Sequence, residues 1–300
     1  MNIKNKKTKA LIYLLDDPDY RVYEAVEKEL LKQSWKIIPA LEEKWEISCD
    51  ENCQERIETV IQNLQFKQTK KLLKSWILSD KCDLLEGFIY VDRFQYPDIN
   101  ILSLKQKIEN IRKAVWLELN NSLTLLEKIT ILNHFLFNVN GFSINLNNIN
   151  SPQNCYLNQL LETKKGNPVS VSILYTILAR QLGLPVMMTD FPNNPLVAVV
   201  DSDLAKKVLG KDTKTSVIFY INPSNKGAIT NRKEIDYHLK KQKKISPDKY
   251  TEPISDKIVV RRLLESLKKN FHTAGFIDKE IKTEEIIKLF KSVDQSADNK

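Results

Sequence analysis

Glycine is scarce in this chain, at seven of 300 residues. It is the residue that lets a backbone turn tightly or close around a phosphate, so the shortage argues against phosphate-cradling loops and tightly turned β architectures. Long apolar runs are missing as well, and nothing approaches the roughly eighteen residues of a membrane span. Leu11 to Leu15 is too short for a signal-peptide core and runs into Asp16-Asp17. The expectation is a cytoplasmic protein with no membrane association. Cysteine is limited to Cys49, Cys53, Cys82 and Cys155, which suits a reducing compartment better than a disulfide framework. Cys49 and Cys53 could share a helical face, yet no Cys or His pair follows at zinc-site spacing, so no metal or cofactor is expected. No histidine lies between His134 and His238.

What is present describes an ordinary globular chain, 42% hydrophobic and 28% charged, long enough to bury a sizeable core. The net charge of +8 raises nucleic acid as a partner. The lysines are dispersed, however, with one denser patch at Lys240, Lys241, Lys243, Lys244 and Lys249. Tyr237 and Tyr250 flank that patch without forming an RNA-binding signature, so it reads as a solvated basic loop.

The first hundred residues follow helical periodicity. Leu11, Leu14 and Leu15 form a stripe, Asp16-Asp17-Pro18-Asp19 breaks and caps, and Val22, Ala25, Val26 and Leu30 resume it. Further stretches follow around Trp35–Trp45 (with Pro39 in its first turn), Ile57–Leu64, Leu72–Ile77, Leu84–Tyr90, Leu104–Leu119 and Leu123–Phe137. Residues 138–153 are polar and read as a loop. A helix over Ser170–Leu182 precedes two β-branched runs, Leu196–Val200 and Ser216–Ile221, joined by a charged excursion over 201–215. Helices are expected again over Asn231–Leu239, Ile258–Asn270 and Thr283–Val293, with a frayed tail from Asp294.

Several local patterns resemble the SirB-type branch of the transglutaminase-like proteins, named as regulators of sirC expression. They are Leu85-Glu-Gly87 with Tyr96-Pro-Asp98, Leu132–Phe142, Asn154–Asn158, Gly166–Tyr175, Gly183-Leu-Pro185, Phe191-Pro192, and Tyr220–Pro223 with Gly227. Arg261–Lys268 resembles the helix that opens a tetratricopeptide-like segment in relatives. The resemblance implies a predominantly helical α+β fold. It divides into a HEAT-like helical region over 1–80, a transglutaminase-like domain with a small antiparallel sheet over 81–250, and C-terminal helices with a tetratricopeptide-like remnant over 251–300.

The resemblance also implies where chemistry belongs: a cysteine at a helix N-terminus, a histidine on the next strand and an aspartate on the one after. Those positions carry Pro168, Asn194 and Asn222 here. Asparagine hydrogen-bonds but does not accept a proton near neutral pH. The leading reading is therefore a pseudoenzyme that scaffolds a protein or peptide partner, with Cys155, Ser170 and Ser172 as candidate cleft-lining residues. A second reading is a Cys155-dependent thiol hydrolase or transferase drawing on His134 or His238. A third is weak nucleic-acid association through Lys240–Lys249.

Overall fold

The computed structural model describes residues 3–241 and 247–297. The chain divides into two compact units, one of residues 1–75 with 93–97 and one of residues 76–92 with 98–300. The fold is α+β and predominantly helical, with a small antiparallel sheet.

The first unit begins with α1 (Ile3–Tyr13) and α2 (Tyr20–Leu31), then α3 (Ile38–Ile47) and α4 (Glu51–Leu78), of which the first unit takes the residues up to Ser75. Asp19 caps α2 by accepting from the Arg21 amide, as an Asp at an N-cap does. Leu15, Leu30, Leu41, Ile57 and Val60 are fully buried and form its core. The two stretches expected over 57–64 and 72–77 are one helix of 28 residues. No glycine or proline interrupts residues 51–78, so nothing in the chain ends the helix between them.

The second unit continues with α5 (Leu84–Asp92), α6 (Ile101–Glu118) and α7 (Leu125–Asn133), which widens into a π-helical segment, His134–Val139. Next come β1 (Ser143–Ile144), α8 (Leu157–Thr163), β2 (Lys165–Gly166) and α9 (Pro168–Gln181). A four-stranded antiparallel sheet follows in the order β3 (Val186–Met188), β4 (Val197–Val200), β5 (Val217–Asn222) and β6 (Ala228–Thr230). The excursion between β4 and β5 holds a helix, α10 (Ser202–Leu209), capped by the Asp201 carboxylate. The chain closes with α11 (Arg232–Lys241), α12 (Pro247–Thr251), α13 (Asp256–Thr273) and α14 (Ile277–Ala297). α14 extends through Ala297, beyond the Asp294 at which fraying was expected. Among the described residues no helix is long and apolar enough to cross a membrane.

α9 is the centre of this unit. Every residue from Val169 to Ala179 is buried, and the hydroxyls of Ser170, Ser172 and Thr176 within that run donate to internal carbonyls. The Arg180 guanidinium on α9 grips both Asp256 oxygens, at 2.7 and 2.9 Å, fixing its C-terminal end to α13. Asp92, at the end of α5, is fully buried and accepts the Leu157 and Asn158 amides at 2.6 and 2.8 Å, capping α8 from a distance in sequence. Burial pushes its carboxyl up to about 8, against two hydrogen bonds that favour the charged form.

Candidate functional site

The site is built on the first turn of α9. Proline at the first helical position needs no N–H there and brings a helical φ, so Pro168 starts the helix well. Asn167 precedes it as N-cap: its Oδ1 accepts the Ser170 amide at 2.8 Å, and Ser170 Oγ accepts the Asn167 amide at 3.0 Å. Ser170 Oγ then donates to the Asn154 carbonyl at 2.7 Å. Gly166 stands just before this turn because a Cβ there would lie 2.6 Å from Ser170 Oγ and 2.9 Å from Leu160 Cδ1.

Cys155 ends the 3-10 turn Pro152–Cys155 and is fully buried. Its Sγ accepts from Asn167 Nδ2 at 3.0 Å and Asn270 Nδ2 at 3.4 Å, with Ser266 Oγ 4.0 Å away. Burial outweighs these contacts and pushes the thiol up to about 12, so the sulfur is neutral across physiological pH. Asn167 Nδ2 also reaches Ser266 Oγ at 3.0 Å. One asparagine therefore caps α9 and ties it to Cys155 and to α13.

A cleft of about 500 Å³ opens in front of this cluster. Pro168, Asn194 and Val169 line it, together with Asn167, Ser266 and Asn270. Asn194 follows Asn193, which takes a left-handed conformation at φ 63°. The loop carrying both is held from α13, where Arg262 donates to Asp190 Oδ1 at 2.8 Å and to the Phe191 carbonyl. Ser172 Oγ fastens the loop's other end by donating to the Pro195 carbonyl at 3.1 Å.

The structure thus brings Pro168 and Asn194 to one cleft. Asn222 follows Ile221, which pairs with Val197, so it emerges at the same end of the sheet as Asn194. It is not part of the cleft wall, and its Oδ1 is buried with no hydrogen bond among the described residues. Cys155, Ser170 and Ser172 do not line the cleft: all three are fully buried behind it, because their polar atoms are used in internal hydrogen bonds. His134 and His238 are exposed; His134 faces Asn138 at 3.2 Å and His238 stacks edge-on with Tyr237. Neither is a partner of Cys155, which is surrounded by Asn167, Ser266 and Asn270. In the basic patch Lys240, Lys241 and Lys249 are exposed, while Lys243 and Lys244 lie outside the described residues.

Sequence reasoning passed over Asn167, Arg262, Ser266, Lys269 and Asn270. A signal was available in part: Asn167-Pro-Val-Ser170 has the spacing of a reciprocal cap. Residues 262, 266, 269 and 270 also recur at the spacing of one face of α13.

These features define an α+β protein in which a buried helix delivers its N-terminus to the end of a small antiparallel sheet. Residues 103–265 match the transglutaminase-like superfamily, and the chain belongs to that superfamily. It is similar to a UPF0162 protein of Xylella fastidiosa, 28% identical over 120 residues, or 40% of this chain and 43% of that one. F-box only protein 21 of Mus musculus is 28% identical over 178 residues, or 51% of this chain and 27% of its own length. A UPF0162 protein of Pasteurella multocida is 29% identical over 105 residues, or 35% of this chain and 40% of that one. The chain covers less than half the length of each of these relatives. No solved structure gives a significant match.

Proposed function

We propose that this chain is a transglutaminase-like protein without catalytic machinery, which binds a protein or peptide partner. The observation that carries the reading is the state of Cys155, buried behind the cleft wall with its thiol pushed up to about 12. Pro168 at the start of α9 supplies neither a nucleophile nor an N–H. Asn194 in the cleft wall offers an amide where a base would be needed. A cleft walled by asparagine amides suits hydrogen bonding to peptide groups, since each amide both donates and accepts. The reading extends to the SirB-type branch and to HEAT-like helices at the front of the chain as a protein-binding face.

Incubating the full chain with a peptide library, then weighing peptides and protein by mass spectrometry, tests this. Peptides retained and recovered unchanged are expected. Cleaved or amine-exchanged peptides whose formation is lost in Cys155→Ser would overturn it.

A further inference from the structure

The groove between α1 and α3 in the first unit is built from one face of each helix. Lys9, Ile12 and Tyr13 line it from α1, and Ala40, Glu43 and Ile47 line it from α3. Spacings of three and four residues place each set on one side of its helix. At about 80 Å³ the groove falls well below the range of small-ligand sites, roughly 300 Å³ and upward, so its fit is to protein side chains. Ile12 is buried in its floor, while Tyr13 is 64% and Ile47 66% exposed. Single exposed apolar residues are common, but two large ones lining one groove leave apolar area for a partner to cover.

The charges of the two walls differ in sign. α1 carries lysines and no acid, whereas α3 carries Glu42, Glu43 and Glu46 against a single Lys44. Lys44 is engaged, 3.5 Å from the Asp16 carboxylate and 5.4 Å from the centre of the Tyr13 ring. Lys9 and Glu43 are exposed, and neither makes an ion pair among the described residues. The groove is therefore its own complement. A two-fold axis over it lays the basic wall of one copy on the acidic wall of the other, so both charge contacts form at once. A second copy supplies an acidic flank, a basic flank and the apolar residues between them.

We propose that this groove is a self-association surface, at which two copies of the chain pair isologously. Lys9 of each copy faces Glu43 of the other, and Tyr13 and Ile47 cover one another across the axis. This rests on the reading of the front helices as a protein-binding face and is independent of the cleft.

Sedimentation velocity of the full chain over a range of micromolar concentrations tests it. A reversible monomer–dimer equilibrium is expected, weakened by added salt. Ile47→Asp, Lys9→Glu and Glu43→Lys, all at exposed positions, should each weaken the dimer roughly tenfold or more, with circular dichroism confirming the fold. An equimolar mixture of the Lys9→Glu and Glu43→Lys chains should dimerise again, because each supplies the charge that the other lacks. A wild-type chain that stays monomeric throughout would overturn the proposal and leave peptide binding in the cleft untouched. A dimer indifferent to all three substitutions, or a mixture that stays monomeric, would overturn it as well.

Discussion

Asn167 donates its side-chain amide to Cys155 Sγ over 3.0 Å while its carbonyl oxygen caps α9. The thiol is thereby an acceptor inside a polar cluster, and the amide is the part that joins a 3-10 turn, a helix start and α13. Asn167→Ala removes the cap and leaves Ser266 and Cys155 without this donor. The expected loss is about 2–3 kcal/mol, a cap plus a share of a buried hydrogen bond, read as a lower urea midpoint. Asn167→Asp keeps the cap oxygen and should separate the two contributions by failing only in the contacts to Cys155 and Ser266.

Cys155 itself should tolerate exchange for an acceptor better than for an apolar group of smaller size. Cys155→Ser keeps an oxygen facing the Asn167 and Asn270 amides, whereas Cys155→Ala leaves two buried donors unmatched. The alanine variant is expected to be less stable than the serine variant by about 1–2 kcal/mol. Equal stabilities would show that the amides do not depend on the sulfur.

Gly166 is a steric requirement of the same turn. A methyl there meets Ser170 Oγ at 2.6 Å, so Gly166→Ala must displace the hydroxyl that closes the cap. A cost of about 1–3 kcal/mol is expected from overpacking, with the thermal midpoint as the readout. Gly166→Ala combined with Ser170→Ala should cost less than the sum of the two, because both damage one contact.

Asp92 makes stability depend on pH. Its carboxyl is raised from 3.8 to about 8, so between those values the folded chain keeps a proton that the unfolded chain has lost. Stability from this group therefore falls as pH rises from about 4 to about 8. Asp92→Asn keeps one acceptor for the Leu157 and Asn158 amides and removes the titration. Urea midpoints at several pH values should show the wild-type declining relative to Asp92→Asn through that window. A constant difference would show that the two amide bonds hold Asp92 ionised throughout.

The helices were legible because their periodicity and caps are local. Asp19 and Pro39 act within one turn of the elements they begin, whereas α9 starts at Pro168, two residues before the Ser170 expected. The two apolar stretches at 57–64 and 72–77 look separate in sequence, but with no breaker between them they form the single helix α4. β3 and β6 escaped because three residues are too few to display a period of two. The site was less legible than the fold. Cys155 meets Asn270 across 115 positions of sequence and Ser266 across 111, and no local pattern announces such pairings. Assignment of the degenerate positions relied on order and spacing along α9 and the strands. The burial of Cys155, Ser170 and Ser172 depends on packing that only the folded chain supplies.

The central claim, that Cys155 is not available as a nucleophile in the folded chain, is tested most directly by alkylating the native chain with iodoacetamide from pH 6 to 9.5. Modified sites are located by mass spectrometry. The exposed Cys49 serves as the internal standard. The account predicts that Cys49 labels as pH approaches the ordinary thiol range of about 8.5, while Cys155 stays unmodified until urea unfolds the chain. Selective labelling of Cys155 below pH 7 in the folded protein would contradict it and restore a thiol-dependent enzyme.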